Sequence, residues 1–324
     1  MPDQLSSTMI TKDVLIVGGG PAGAACAWRL KQHNISCLVL DRADFPRSKP
    51  CAGWITPSVF TSLQITPEEY PHKLTKFKSF QVSVRGLSFK LPTRQFAIRR
   101  IEFDAWLLNY AEANLLQHNV THIEKSGGNY VIDGQYQGKY LVGAGGTHCP
   151  VNRRFFNPER EQPRKNLIIA LEEEFAYPIK DERCFLWFFK DGLPGYAWYV
   201  PKAGGIVNVG IGANAAGLRR KDMTLKVCWL KLIETLETKG LVENHPFNPS
   251  GYSYYLRHNA QPIRSDNAFL VGDALGSATR DMGEGIGPAI QSGLLAAETI
   301  SQGGDYSIKS IPRFSLPSLL GLRR

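Results

Sequence analysis

Three glycines spaced G-x-G-x-x-G, at Gly18, Gly20 and Gly23, point to the binding of a dinucleotide pyrophosphate. Gly18 permits a tight turn, Gly20 lets the backbone come close to the pyrophosphate, and Gly23 lets a helix pack closely on the strand before it. Pro21 and Ala22 open that helix, whose free N–H groups and positive dipole end suit phosphate. Asp41 follows about 20 residues on, where an acid accepts a hydrogen bond from a ribose hydroxyl, and Arg42 is expected beside the same ligand. Such a site needs a strand, a turn, a helix and a second strand. Val14 to Val17 is an uninterrupted apolar run, as a buried parallel strand requires. Ala24 to Gln32 has helical character with no breaker, and Ile35 to Leu40 is a second apolar strand ending at Asp41. This first motif does not separate FAD from NAD.

Near the other end, Ala268 to Val271 reads as a buried strand closed by Gly272-Asp273. A glycine-rich loop follows, and Pro288 can sit in the first turn of a helix running to about Ile300. Gly272-Asp273-Ala274 followed by Gly283-Glu284-Gly285-Ile286 resembles the second FAD signature of p-hydroxybenzoate hydroxylase-type flavoproteins. The resemblance implies FAD, with Gly272, Asp273, Gly283, Gly285 and Ile286 among its contacts: the Asp at the ribityl chain, the loop and helix N-terminus against the pyrimidine edge. That edge becomes anionic on reduction, and a helix N-terminus stabilises an anion. Glu284 stays open between a ligand contact and a polar loop residue. Arg99-Arg100-Ile-Glu-Phe103-Asp104 resembles the superfamily's Arg-x-x-Phe-Asp segment, whose Arg contacts FAD; Arg100 fits the spacing, with Arg99 as the alternative. Where the superfamily carries Asp-Gly, this chain has Gly145, which weakens a hydroxylase reading dependent on NAD(P)H. His148, Cys149 and Pro150 are open between facing the cofactor and finishing the turn.

Lys49-Pro50-Cys51-Ala52-Gly53-Trp54 resembles the Lys-x-Cys-Gly-Gly-Gly loop of the geranylgeranyl reductase family, departing at Ala52 and Trp54. Tyr196-Ala-Trp198-Tyr-Val200-Pro201, then Asn208-Val209-Gly210, resembles the same family's Tyr-x-Trp-x-Phe-Pro and Asn-Val-Gly pattern. The resemblance implies an FAD-dependent oxidoreductase that passes hydride from reduced flavin to an apolar, unsaturated, isoprenoid-like substrate. Cys51, Tyr196 and Trp198 become the candidate catalytic residues, with Cys51, Ala52 and Gly53 also against the cofactor. An apolar, water-poor cavity would protect the reduced flavin. Cys51 is a candidate to gate or protonate, its alternative being a buried small hydrophobe. Two other functions stay open: a monooxygenase or halogenase using O2, since Trp198 and Pro201 loosely resemble a halogenase Trp-x-Trp-x-Ile-Pro segment, and a flavin-binding electron-transfer module. No second dinucleotide motif occurs in its structural setting, so NAD(P)H or a ferredoxin-like protein is the expected electron donor.

The elements that must position these residues define an α/β fold. A Rossmann-like FAD-binding domain of p-hydroxybenzoate hydroxylase type is expected from residues 1–75, 97–165 and 258–305, with an inserted antiparallel-sheet substrate domain from 76–96 and 166–257 and a tail over 306–324. Phe77 to Pro92 reads as a hairpin turning at Arg85-Gly86, and 166–176, 184–190 and 196–213 are strand-like. A helix over 221–239 packs Leu225, Cys228, Trp229, Leu232 and Leu236 on one face. The net charge of +9 comes without a dense basic run or zinc-ligand spacing, which argues against nucleic acid and a metal. Six scattered cysteines read as reduced thiols and imply the cytoplasm. Val14 to Trp28 is uncharged but too short to span a bilayer, and Gly-Gly-Gly-Pro breaks it. The basic and apolar tail, IPRFSLPSLLGLRR, is expected either to fray or to touch a membrane peripherally. Members of the family often continue beyond this point with a region that helps close the site, which puts a long prenyl lipid in doubt.

Overall fold

The computed structural model describes residues 9–157, 164–258 and 262–319. One sheet has a parallel core. The strand Ile10–Val17 pairs in parallel with Tyr136–Gly143 on one side and Cys37–Asp41 on the other. Leu115–Gln117 and Ala268–Leu270 extend it outwards, also in parallel. Val14, Leu15 and Ile16 are wholly buried, because both faces of a parallel sheet are covered. On one face lie the helices Pro21–Gln32, Arg100–Tyr110 and Ile286–Gln302. The first and last of these meet without intervening side chains, since a Cβ on Gly293 would overlap the Ala22 carbonyl. A two-stranded antiparallel extension, Ile123–Ser126 and Asn129–Ile132, joins the same sheet. Tyr130 and Ile132 are buried on its other face.

A second, seven-stranded sheet is formed by Ser250–Tyr255, Leu167–Ala176, Ile206–Asn214, Gly195–Lys202, Cys184–Phe188, Ser79–Val84 and Leu87–Pro92, in that spatial order. All its pairings are antiparallel except that of Cys184–Phe188 with Ser79–Val84. The expected strand over 196–213 resolves into two, turning at Gly204 and Gly205, both at positive φ. The hairpin turns at Arg85-Gly86, with φ of 50° and 92°, the conformation a tight two-residue connection needs. Period-two alternation splits this sheet into two chemistries. Leu171, Tyr199, Val207, Val209 and Ile211 face the helix Leu225–Thr238, where they meet Cys228, Trp229, Leu232 and Leu236. Thr224 caps that helix by accepting the Val227 amide. The alternate residues, Glu172, Tyr196 and Trp198 among them, face the parallel sheet.

The tail is held further along than the sequence suggests. Tyr306 is buried and donates to the Leu270 carbonyl at 2.9 Å, and Ile311 and Ser315 are buried as well. The Arg257 guanidinium donates to the carbonyls of Ile308 and Ile311. The last basic residues, Arg323 and Arg324, lie outside the described residues. No helix among the described residues is long and apolar enough to cross a membrane.

Candidate active site

A cavity of about 660 Å³ opens at the carboxyl ends of the parallel strands and runs to the antiparallel sheet. In open α/β sheets this is where ligands bind. Gly18, Gly20, Pro21, Ala22, Asp41 and Arg42 line one end. Gly18 has a φ of 115°, and a Cβ there would overlap the Ala144 carbonyl. Gly23 is not at the cavity surface. It is a packing glycine, where a Cβ would overlap the Gly18 carbonyl and press Ile16 at 3.2 Å. Gly20 differs from both: an added Cβ would meet only the Arg47 guanidinium, at 3.6 Å. Protein packing therefore leaves room beside Gly20, and the helix it opens has no side-chain cap. Free first-turn amides above an open cradle fit a dinucleotide pyrophosphate. Asp41 accepts the amides of Gly19 at 2.7 Å and Ala43 at 2.9 Å, so it braces the loop as well as lining the cavity.

Gly272, Asp273, Gly283, Gly285 and Ile286 line the cavity midway along it. Asp273 accepts the Tyr252 hydroxyl at 2.7 Å. Gly283, at φ 65°, lies so close to Tyr254 that a Cβ would overlap its hydroxyl. Arg100 rather than Arg99 reaches the cavity. Arg100 is buried and grips Asp104 through two hydrogen bonds of 2.7 Å, with Arg47 3.3 Å from the same carboxylate. Burial opposes the Arg100 charge, but Asp104 outweighs it and holds the guanidinium above its ordinary value. Arg99 points away, to Glu174 at 2.8 Å and Glu102 at 3.2 Å. Lys49 places its ammonium 3.2 Å from the centre of the Tyr252 ring. Burial pushes it down to about 8 against the pull of Asp273. Gly145 fits because any side chain there would press on Cys149, whose Cα is 3.2 Å from the Cβ position. Cys149 is buried away from the cavity, whereas His148 and Pro150 line it.

At the antiparallel sheet, Trp198 is seated by its neighbours. Its indole N–H donates to Asn208 at 2.7 Å, and its ring lies where a Cβ on Gly210 would be. The Asn208 amide in turn donates to the Cys51 carbonyl at 3.3 Å and to Glu172 at 3.4 Å. Asn-Val-Gly is thus the socket of the Trp. Tyr196 packs beside it at 5.7 Å and donates to the Met282 carbonyl at 2.6 Å. Trp54 stacks on Tyr196 at 6.3 Å. Cys51 and Ala52 line the cavity between the two ends. Cys51 lies within reach of Arg100, and its sulfur accepts the Gly53 amide at 3.3 Å. Gly53 has a φ of 77° and is hemmed in by Ile98 and by Lys202, 2.7 Å from the Cβ position.

Among the cavity residues not evident from the sequence are Glu172, Tyr252, Tyr254 and, as a contact in its own right, Lys49. Glu172 is buried, and desolvation pushes its carboxyl up to about 7, with Lys202, the Cys51 backbone and Asn208 offsetting only part of the cost. The signal available was the strand's alternation, which puts Glu172 and Leu171 on opposite faces.

Residues 13–106 match the family model described as FAD dependent oxidoreductase. An uncharacterised protein of Methanosarcina barkeri is 33% identical over 92% of this chain and 76% of its own length. A menaquinone reductase of Mycobacterium tuberculosis is 27% identical over 89% of the chain and 76% of its length. A digeranylgeranylglycerophospholipid reductase of Methanosphaera stadtmanae is 24% identical, covering 94% of the chain and 82% of the relative. The solved structure of a geranylgeranyl bacteriochlorophyll reductase-like protein from Thermoplasma acidophilum superposes with a TM-score of 0.78 at 20% identity, over 97% of this chain and 82% of that one.

Proposed function

The chain belongs to the geranylgeranyl reductase family of FAD-dependent oxidoreductases, and from that premise we propose that it saturates a carbon–carbon double bond in an apolar, isoprenoid-like substrate. The carrying observation is the meeting, at one end of a single cavity, of an aromatic wall with a buried carboxyl: Trp54, Tyr196 and Trp198 beside Glu172. Gly18, Gly20, Asp41, Arg42, Arg100, Asp273 and the Gly283–Ile286 turn hold FAD, with Pro21, Ala22, Cys51, Ala52, Gly53 and Gly272 against it. FAD, when bound and reduced, supplies the hydride. The aromatic wall holds the apolar chain and excludes water. Glu172, neutral below about 7, gives its proton to the second carbon. The π bond breaks, one C–H bond forms at each carbon, and Glu172 is left as a carboxylate for reprotonation. Cys51 orders the loop that carries the Glu172 and Asn208 contacts. The names of the relatives, which concern menaquinone and geranylgeranyl chains, support the isoprenoid class. The electron donor in this reading is NAD(P)H or a ferredoxin-like protein.

The test is anaerobic. Photoreduced holoprotein is mixed with a two-isoprene alcohol while flavin absorbance is followed, and the product is analysed by mass. The expected result is reoxidation with gain of two hydrogens by the alcohol. Reoxidation by air alone, with the alcohol recovered unchanged, would move the assignment to oxygen chemistry; reoxidation by neither would point to an electron-transfer module.

A further inference from the structure

The surplus of positive charge is not spread evenly along the chain. Residues 70–101 hold eight Lys or Arg and no Asp or Glu, against a net charge of +9 for the whole sequence. Two of these serve the site: Arg100 lines the cavity and Arg99 meets Glu174. The others, Lys73, Lys76, Lys78, Arg85, Lys90 and Arg94, are exposed. The acids that bracket the segment are engaged locally. Glu69 accepts the Thr66 amide at 2.6 Å, and Glu102 accepts Arg99 at 3.2 Å.

These cations are dispersed in sequence, and strand pairing gathers them along one edge. Leu87–Pro92 is the outer strand of the seven-stranded sheet, joined to it through Ser79–Val84. Arg85 stands at the hairpin turn and Lys90 on the strand itself. At the far end the Thr93 amide donates to the Lys78 carbonyl at 3.0 Å, which sets Arg94 beside Lys78. Lys76 pairs in register with Phe96, two residues further on. Between these charges the same strand exposes hydrocarbon: Leu87 is 78% and Phe89 49% exposed. Phe189, 48% exposed, stands at the turn end, next to Phe188, whose carbonyl accepts the Arg85 amide at 3.3 Å. Outer strands usually avoid large exposed apolar side chains, and such a patch rimmed by charge marks an interaction surface.

We propose that this edge docks the protein on an anionic lipid bilayer. A shallow seat at headgroup level matches each of its features. Leu87 and Phe89 project from one face of the strand and enter the acyl boundary. Lys90 projects from the other, and its long stem lets the ammonium reach a lipid phosphate. The outward N–H and C=O groups of an outer strand need polar partners, which headgroups supply and hydrocarbon does not. A second copy of the chain fits poorly, because edge-to-edge pairing would set these cations against one another. A nucleic acid would use the cations but leave Leu87 and Phe89 against phosphate and water. The inference goes beyond the reaction proposed above and does not depend on it.

Co-sedimentation of the holoprotein with vesicles tests this, and flavin absorbance verifies the cofactor in every variant. The probes are vesicles of phosphatidylcholine alone and of phosphatidylcholine mixed with phosphatidylglycerol. The expected result is binding to the anionic vesicles that weakens as salt rises above ~0.1 M, with little binding to the neutral ones. A Lys or Arg at such a surface contributes about fivefold in affinity, so Lys78→Gln/Lys90→Gln should weaken binding roughly twentyfold. Leu87→Ser/Phe89→Ser should weaken it about tenfold. Val227→Ser/Leu230→Ser, exposed on the helix Leu225–Thr238, should leave it unchanged. Equal binding to both kinds of vesicle, or to neither, overturns the proposal. So does full affinity in either edge variant, or a loss in Phe314→Ser/Leu316→Ser as large as in Leu87→Ser/Phe89→Ser, which would move the contact to the tail. Two further results would replace the bilayer as occupant. A concentration-dependent mass in solution that falls in Leu87→Ser/Phe89→Ser makes the edge a contact between copies. Capture of duplex DNA that is lost in Lys78→Gln/Lys90→Gln but not in Leu87→Ser/Phe89→Ser makes it a nucleic-acid surface.

Discussion

Glu172 shows how much a residue's role depends on what surrounds it. It opens a run of three acids, Glu172-Glu173-Glu174, within the strand Leu167–Ala176. The fold sends them apart. Glu173 meets His245 at 2.8 Å, Glu174 meets Lys202 at 2.6 Å and Arg99 at 2.8 Å, and Glu172 turns into the cavity. Desolvation at Glu172 outweighs the nearby Lys202 charge, the Cys51 backbone and the 3.4 Å hydrogen bond from Asn208, so the carboxyl is held neutral, which suits a proton donor. Glu172→Gln should retain the full flavin spectrum while slowing reoxidation by an unsaturated alcohol ~100-fold. It should also abolish a fall in wild-type rate as pH rises through about 7. Stopped-flow rates across that range decide the matter, and a wild-type rate that does not fall through it would remove Glu172 from the chemistry.

At the scale of the element, glycines of one motif do different work. Gly20 faces space that the protein leaves open, whereas Gly23 faces the Gly18 carbonyl. Gly20→Val should therefore give a soluble protein whose flavin-free melting temperature matches the wild type but which retains little FAD. Gly23→Ala should lower the melting temperature of the flavin-free protein, at a cost of ~3 kcal/mol or more, because helix and strand must separate. The absorbance ratio of flavin to protein, read beside the two melting curves, checks both, and full flavin retention by Gly20→Val would refute the pyrophosphate assignment. These roles were legible in the sequence because they are local: strand, turn, helix and acid lie within about 30 consecutive residues. The helix Leu225–Thr238 was legible for the same reason, its apolar face repeating at helical spacing. Tyr252 and Tyr254 were not. They reach the site on an outer strand whose position depends on pairing with Leu167–Ala176, about 80 residues earlier, and no local period encodes that partner. Asn208 and Gly210 were visible as a pattern, but their purpose as the seat of Trp198 needed the register of two strands.

Across the whole molecule, two carboxyls at one cavity, Glu172 buried and Glu284 half-buried, together make stability depend on pH. Glu284 is the second. It accepts Ser315 at 3.0 Å, and Ser315 hydrogen-bonds Thr279 at 2.6 Å, so the C-terminal segment is fastened to the loop that precedes the Ile286–Gln302 helix. Burial pushes Glu284 up to about 7, with Asp281 adding to the effect and Ser315 opposing it. Both carboxyls thus have folded values raised above their ordinary 4.5. A raised acid contributes stability that is fully present below its unfolded value and is lost as pH climbs through the folded one. The window of loss is therefore from about 4.5 to about 7. Lys49, pushed down to about 8, loses its proton above that window and adds no slope within it. Each carboxyl can account for roughly 3 kcal/mol at most. The flavin-free protein should accordingly melt several degrees lower at the top of this window than at its foot. The double variant Glu172→Gln/Glu284→Gln, neutral throughout, should show a flatter profile. Calorimetry of both proteins across the window tests this, and parallel profiles would mean that neither carboxyl is held neutral by the fold.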